Sequence, residues 1–570
     1  MKIEKIIQSS VFLLLIDGFF LILISSIFHF LFSKFGLNPT DDGFILAGSR
    51  RILNGEIPHR DFISIRPPGS YFLHVIWLIL SPTQAIIISR YFIWLEFSII
   101  SCCWVKIFIK ILKIKIQKYF EYLLIIFSIC FSVHTFPIMP WPTIDALFIS
   151  SIGILLTLSK SKINVLGSLF IGFSILFRLN FIILIPVSLL ILKKWKNFPF
   201  LLLMILPSLL YISYLVFFNA TIEAFIQLTS YTNFLYVGIL KYIIIYSTFF
   251  GIIIGFFIIN SDNKNQYLNK KKFFNRIYTC DYIILFSILF SSLIFMSIYG
   301  YLYIDFPSFS IFGLLLGIIL QKWFYHKYKT ILFKYLILLL FTAWCSSLSL
   351  GYNSPVFLNG PIITFMILLF IKKKFKIIFI ETQEYKRIDF KNDYSRNIFI
   401  LKIICLVFCI VTPLCFTYSR SNHIYRETPI NTLVYELNDE LIGADDIYVD
   451  NNTYDFFRDL KNIKEKLMDN NSRYCIIPDV AINWINDPQP NPLIIDWPQS
   501  TELSNHILEE KVFQKLKEQK GHLYIIIQKY EVSELANGKI PLDDEKYSIV
   551  DFVHSNFIKV NETEYFDIYY

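Results

Sequence analysis

One short stretch of the chain, residues 41–71, concentrates charged side chains of both signs between apolar runs. Its ionisable residues are Asp41, Asp42, Arg50, Arg51, Glu56, His59, Arg60, Asp61 and Arg66. Charges held against a bilayer are costly, so such a dense set needs a reason. A carboxylate can accept the proton of an acceptor hydroxyl, and arginines can bind a phosphate through paired hydrogen bonds. The stretch therefore predicts sugar transfer at a membrane surface, from a donor carried on a lipid phosphate.

The composition places this stretch in a membrane protein. Of 570 residues, 55% are hydrophobic, above the roughly 45–50% of soluble proteins. Residues 418–570 carry 15 Lys+Arg against 27 Asp+Glu, whereas the preceding residues carry 38 against 17. A basic membrane part with an acidic exported tail explains this division. Nucleic-acid binding is a poor explanation, because the basic residues are scattered between apolar runs.

Apolar runs predict about thirteen transmembrane helices. They fall near 11–32, 84–105, 119–136, 144–159, 163–178, 180–192, 198–217, 238–259, 282–299, 308–321, 331–348, 357–371 and 398–416. A span needs roughly 17–25 residues, so 163–178 and 180–192 are short and could be one helix interrupted at Arg178. Both flanks of the pair are basic and favour the cytoplasm, which requires two crossings.

The same rule predicts the topology. Basic loops fall on one side together with the N-terminus, which is predicted to be cytoplasmic. The first loop, 33–83, and the C-terminal residues then lie outside. Residues 69–80 are too short to cross and are expected as a helix at the outer surface.

The C-terminal residues read as a small α/β domain. Apolar runs at 446–450, 473–478 and 523–527 predict buried strands, and 454–468 and 504–519 have helical spacing. No glycine-rich phosphate loop or nucleophile elbow occurs there, which favours a scaffold or acceptor-docking role over catalysis. The expected fold is an all-α polytopic membrane protein, residues 1–417, with an extramembrane α/β domain at 418–570.

The charged stretch resembles a known family. Asp41-Asp42, Ser49-Arg50-Arg51-Ile52-Leu53-Asn54-Gly55 and Arg66-Pro67-Pro68-Gly69-Ser70-Tyr71 are similar to the first exterior loop of GT-C membrane glycosyltransferases. The similarity is greatest to the protein mannosyltransferase and lipid A aminoarabinose transferase branch. Those enzymes show Asp-Glu, then Ala-Arg-x-Ile-Leu-x-Gly, then Lys-Pro-Pro-x-x-Tyr. The segment from Gly55 to Phe62 is more elaborate here than the usual loop.

The resemblance implies roles for several residues. Asp41 falls on the catalytic base, and Arg66 and Arg178 fall on basic positions used toward the donor phosphate. Arg50 and Arg51 are further candidates for the phosphate or the lipid headgroup. Supporting roles toward the sugar or the acceptor are expected for Asp42, His59, Asp61 and Asp145.

Structural alternatives remain open for each of these residues. Asp41 could form the turn before a helix, and Asp42 could be a first-turn charge. Arg66 could pair with Asp61, or Asp61 with Arg60. Arg50 and Arg51 could extend along the membrane interface. The charges at 145 and 178, at the ends of spans, could face water.

The expected partners are a polyprenyl-phosphate sugar, a lipid, glycan or protein acceptor, and the bilayer, with no nucleic acid. The resembled branch implies inversion at the sugar and no required cofactor, although carboxylates in the loop could hold a divalent metal. The expected location is a bacterial inner membrane. The alternatives are a polysaccharide polymerase or ligase with lipid-diphosphate donors, and a flippase-type transporter, for which broken helices and mid-membrane polar groups would be typical.

Overall fold

The fold is given by a computed structural model. It describes residues 10–134, 136–159, 161–230, 248–249, 251–254, 298, 305–324, 327, 329–348, 354–374, 408, 411–424, 426–543 and 546–570. The predicted spans near 238–259, 282–299 and 398–416 lie wholly or largely outside these residues.

Most of the described chain is helical. Before residue 420 the helices whose bounds the structure describes are α1 (Ser10–Phe32), α2 (Phe44–Leu53), α3 (Gly69–Leu80), α4 (Ala85–Leu112), α5 (Lys118–Ser132), α6 (Pro142–Thr157), α7 (Ile163–Phe173), α8 (Leu184–Leu192), α9 (Phe198–Phe217), α10 (Thr221–Thr229), α11 (Asp305–Phe324), α12 (Ile331–Ser347) and α13 (Asn359–Lys374). The helix expected at 69–80 is present as α3.

Four of the described helices are long and apolar enough to cross a membrane. They are Leu13–Phe32 in α1, Ala85–Leu112, Phe198–Phe217 and Pro307–Phe324 in α11. Six further apolar helices are only 10–17 residues long, below the roughly 20 residues that a simple crossing needs. The prediction of membrane-spanning helices is thus supported, whereas the count of thirteen is not reproduced in the described residues.

Helical structure is interrupted between the two short predicted spans, near Arg178. Helix α7 ends at Phe173, and 3₁₀ turns at Ser174–Leu176 and Leu179–Ile183 flank Arg178 before α8 begins. Helices α6 and α7 approach each other through Gly153 and Gly167. A Cβ atom on Gly153 would lie 2.8 Å from the Gly167 carbonyl oxygen, so only glycine permits this backbone contact.

The C-terminal residues form a small α/β unit. Its elements are β1 (Tyr435–Glu436), β2 (Tyr448–Val449), α14 (Asn451–Asp469), β3 (Arg473–Ile477), α15 (His506–Glu518), β4 (Leu523–Gln528), α16 (Ser548–Asn556), β5 (Lys559–Glu562) and β6 (Phe566–Tyr569). The apolar runs predicted as strands are present as β2, β3 and β4. The larger sheet has the order β3-β4-β6-β5, with β3 and β4 parallel and the other pairs antiparallel.

The first loop and the C-terminal unit share one hydrophobic core. Leu37, Leu46 and Leu78 belong to the same buried cluster as Phe456 and Ile526. Backbone pairing joins the two parts as well, because Tyr448 donates its N–H to the Lys34 carbonyl at 2.7 Å. The C-terminal unit therefore covers the loop directly.

The two parts pack tightly against each other at Gly43, immediately before α2. A Cβ atom there would lie 2.2 Å from the backbone N and Cα of Ile482, in the 3₁₀ turn Ala481–Ile485. No side-chain rotation can relieve a clash with backbone atoms.

We therefore predict that Gly43→Ala displaces the C-terminal unit from the first loop. Overpacking of this kind costs about 1–3 kcal/mol or more. The measurement is the thermal unfolding midpoint of the detergent-solubilised protein, together with protease access to residues 481–485.

Gly18→Ala is the matched control, since nothing lies within 4 Å of the added Cβ in α1. Equal midpoints for the two variants would contradict the close contact at Gly43.

Candidate active site

A tight turn positions Asp41 at the start of α2. The Asn38 side-chain oxygen accepts hydrogen bonds from the backbone N–H groups of Thr40 at 3.1 Å and Asp41 at 3.2 Å. The Asp42 carboxylate accepts the Asn38 N–H at 2.8 Å and closes the turn. Asparagine and aspartate favour such turns because their side chains bond to the nearby backbone. The Asp41 carboxyl is thus held just before the helix begins.

Asp41 is buried against the Arg426 guanidinium. It is 7% exposed, and Arg426 Nη1 lies 2.9 Å from its Oδ2. Burial raises the pKa of Asp41, the charges of Arg426 and Arg66 oppose that shift, and Asp42 adds to it. A carboxyl with a raised pKa, placed next to cations, can hold or release a proton closer to neutral pH than an exposed one.

A second carboxyl, Asp479, faces the same turn. It accepts a hydrogen bond from the Thr40 hydroxyl at 3.2 Å and another from the Trp497 indole N–H. Burial raises the pKa of Asp479 to about 8, and the charge of Asp41 contributes in the same direction. Two acidic groups in one buried site do not ionise independently, so Asp41 carries the negative charge more readily when Asp479 is neutral.

Arg66 is buried under the C-terminal unit. Its Nη2 lies 2.7 Å from Glu502 Oε1, and both side chains are 7% exposed. The guanidinium also lies over the rings of Phe44 and Trp497, at 4.9 and 5.9 Å from their centroids. The phosphate-binding candidate is therefore paired with a carboxylate, and that carboxylate is Glu502, whereas the sequence had offered Asp61 as the alternative partner.

Arg51 contacts four acceptor atoms. Its Nε lies 2.8 Å from both Asp496 oxygens, its Nη1 bonds Glu56 at 2.7 Å, and its Nη2 donates to the Leu493 carbonyl at 2.6 Å. Arg50 donates through Nε to the Ile485 carbonyl at 2.6 Å. Both residues attach α2 to the C-terminal unit.

Asp42 links the first loop to α4 through an ion pair with Arg90. Its Oδ1 lies 3.0 Å from Arg90 Nη2, and Arg90 also donates to the carbonyls of Ser33 at 2.7 Å and Gly36 at 2.8 Å. These bonds give Asp42 a positioning role for the Asp41 turn.

His59 and Asp61 hold the middle of the loop. The His59 ring bonds Gln227 Oε1 at 2.9 Å and the Tyr211 hydroxyl at 2.7 Å, and burial lowers its pKa to about 4. Asp61 pairs with Arg60 at 2.8 Å and accepts the Ile57 N–H at 2.8 Å. A neutral histidine with both ring nitrogens bonded is a structural anchor, and Asp61 adopts the pairing with Arg60 that the sequence left open.

Asp145 and Arg178 have partners other than Asp41. Asp145 is fully buried, and its Oδ1 lies 3.3 Å from His74 Nε2 on α3. The carboxyl of Glu96 on α4 interacts with it electrostatically. Arg178 donates to the Leu348 carbonyl at 3.2 Å. Of the predicted residues, Arg66 acts on Asp41 through its charge, while Asp145 contacts His74 and Arg178 contacts Leu348.

Sequence reasoning missed the C-terminal half of the site. Arg426, Asp479, Trp497 and Glu502 lie more than 350 residues after Asp41, in segments without a recognisable motif. The only signal in the sequence was the excess of acidic residues in the C-terminal part, and this excess does not identify individual site residues.

The described residues contain no group of three or more His, Cys, Asp or Glu that could hold a metal ion. No family model, curated protein or solved structure matches the chain.

The raised pKa of Asp479 predicts a pH dependence of stability. Between about 4 and about 8 the folded state binds one proton more than the unfolded state, so this group's contribution falls as pH rises through that window. Asp479→Asn cannot ionise and can still accept the Trp497 N–H. We expect its unfolding midpoint to decline less between pH 4 and pH 8 than that of the wild type.

Glu465→Gln, an exposed change on α14, serves as the control and should follow the wild-type curve. Parallel curves for Asp479→Asn and the wild type would show that Asp479 does not take up a proton on folding.

Proposed function

We propose that the chain is an integral-membrane glycosyltransferase. It transfers a sugar from a polyprenyl-phosphate donor to a hydroxyl of a lipid, glycan or protein acceptor. The reaction occurs at the exterior face of the membrane, which in a bacterial cell is the periplasmic face of the inner membrane. The distribution of basic loops and the acidic C-terminal residues support this orientation.

The observation that carries the proposal is the buried ion pair of Asp41 with Arg426, with the charge of Arg66 close enough to act on Asp41. The reaction needs a carboxylate for the acceptor proton and guanidinium groups for the leaving phosphate. Both occur here within one dehydrated site, where electrostatic interactions are stronger than in water. The similarity of residues 41–71 to the GT-C loop supports the same assignment.

The chemistry is a single displacement. The acceptor oxygen attacks the anomeric carbon while its proton passes to the Asp41 carboxylate. The bond from that carbon to the phosphate oxygen breaks, and the phosphate leaves with the electron pair. Arg66 stabilises the developing charge through hydrogen bonds to the phosphate oxygens. The configuration at the anomeric carbon is inverted.

The ion pair between Arg66 and Glu502 adds a requirement. The Glu502 carboxylate is paired with the Arg66 guanidinium that would bind the donor phosphate. The phosphate therefore has to displace the Glu502 carboxylate. The exchange replaces one anion by another at the same cation, and no buried cation is left alone. Glu502 thereby selects for ligands that bring a negative charge of their own.

Asp41→Asn provides the first test. It removes the base and keeps the side-chain volume, so the transfer rate should fall by about 10²–10⁴-fold. The measurement is transfer of radiolabelled sugar from polyprenyl phosphate to envelope acceptors by the purified protein in detergent, with a chelator added in parallel.

Asp551→Asn on α16 is the control and should retain wild-type rates. Undiminished transfer by the Asp41→Asn protein would reject Asp41 as the base, and loss of activity with chelator alone would require a metal-dependent step.

Glu502→Gln tests the exchange at Arg66. Removal of the competing charge should lower KM for the donor by about tenfold, because a charged hydrogen bond becomes available to the phosphate. The unfolding midpoint should fall at the same time, since breaking a buried ion pair costs about 3–5 kcal/mol.

Arg66→Gln should change KM in the opposite direction, and Glu518→Gln on α15 should leave it unchanged. A KM that rises in Glu502→Gln would indicate that Glu502 binds the substrate itself.

A further inference from the structure

Three lysines meet where α8 ends and α12 begins. Lys193 and Lys194 directly follow α8, and Lys334 lies close to the start of α12. The two helices pack against each other, and the positive charges of Lys193 and Lys194 act on Lys334. None of the three lysines forms an ion pair with a carboxylate in the described part of the chain. Their mutual repulsion is therefore not offset there by an acidic side chain.

The helix dipoles account for two of these lysines but not for the third. The C-terminus of α8 carries a partial negative charge, which favours Lys193 and Lys194. Lys334 lies instead near the N-terminus of α12, where the Thr330 side chain caps the helix by accepting the Phe333 N–H at 3.3 Å. That end of a helix carries a partial positive charge and favours an anion. A negative group beside the three lysines would thus relieve both kinds of repulsion.

The lysines lie at a membrane surface. Only residues 195–197 separate Lys194 from Phe198, the first residue of α9, which is long and apolar enough to cross a membrane. Trp195 is 61% exposed and Phe198 is 68% exposed. Exposed tryptophan is typical of the level of the lipid headgroups, and lysines at that level attract acidic lipids.

The surroundings of the lysines are open and partly apolar. Lys193 is exposed, and Lys194 and Lys334 are partly exposed. Leu190 in the last turn of α8 is 64% exposed, and Ile331 at the start of α12 is 47% exposed. A soluble anion would leave these apolar side chains in contact with water, whereas the acyl chains of a lipid would cover them. The combination favours an anion that carries its own apolar part.

The site is on the membrane face opposite to Asp41. Helix α10 follows the far end of α9, and its Gln227 bonds His59 of the first loop at 2.9 Å. The lysines precede the other end of α9, so the length of a crossing helix separates them from the first loop. A lipid bound to them is therefore not a sugar donor for Asp41.

We propose that Lys193, Lys194 and Lys334 bind the phosphate of an acidic phospholipid, whose acyl chains lie against the neighbouring apolar side chains. Lysine binds phosphate as a point charge, so three converging lysines suit a group with net negative charge. A zwitterionic lipid brings an amine with its phosphate and gains less from them. This binding needs none of the residues proposed for sugar transfer.

The test is native mass spectrometry of the full-length protein in detergent, titrated with phosphatidylglycerol or with phosphatidylcholine of the same acyl chains. The wild type should bind phosphatidylglycerol more tightly. Lys193→Gln, Lys194→Gln and Lys334→Gln should each weaken that binding about fivefold, and the triple variant about 100-fold. Replacement of all three by arginine retains the charge and should retain the binding.

The matched control is the triple variant Lys110→Gln, Lys113→Gln and Lys115→Gln, which removes three exposed lysines at the end of α4 and just after it. It should bind phosphatidylglycerol like the wild type. Phosphatidylglycerol should also raise the unfolding midpoint of the wild type and of this control, but not that of the variant at 193, 194 and 334. Without lipid that variant should unfold no earlier than the wild type, because a repulsion has been removed.

Three results would overturn the proposal. They are equal affinity of the wild type for the two lipids, an equal loss of phosphatidylglycerol binding in both triple glutamine variants, and displacement of phosphatidylglycerol by millimolar glycerol phosphate. The last result would identify a site for a soluble phosphate.

Discussion

The structure depends on ion pairs that join two distant parts of the chain in a buried contact. Arg66 meets Glu502, Arg51 meets Asp496, and Asp41 meets Arg426. A buried charge without a partner costs several kcal/mol, so neither the first loop nor the C-terminal residues could bury these groups alone. The loop therefore has its described form only with the C-terminal unit in place. The shared hydrophobic core joins the same two parts by apolar contacts in addition to the ion pairs.

This coupling explains why the candidate site is closed and nearly neutral. The C-terminal unit contributes a cation as well as carboxylates to the loop. Asp41 forms an ion pair with Arg426, and Arg66 forms one with Glu502. A site built in this way admits a ligand by exchange of charges, which couples binding to movement of the segment that carries Trp497 and Glu502. The ion pair of Arg51 with Asp496 holds the neighbouring part of the same segment to α2.

Local patterns in the sequence predicted local structure well. The apolar runs at 446–450, 473–478 and 523–527 contain strands, because short stretches rich in β-branched residues are buried in that form. The sequence Asn-Pro-Thr-Asp-Asp-Gly forms the expected turn before a helix. The lengths of the predicted spans were less accurate. Apolar composition alone does not distinguish a helix that crosses the membrane from a short helix buried within the protein.

The sequence by itself determined the helical membrane class, the small α/β unit, and the concentration of charge in the first loop. These follow from hydrophobicity, periodicity and turn chemistry, which act over a few residues. Only the tertiary structure decided which charges meet. Arg66 pairs with Glu502, 436 positions away, although Asp61 lies five positions away. The partner of a buried charge is chosen by packing between elements distant in the chain, and local residue patterns contain no information on that packing.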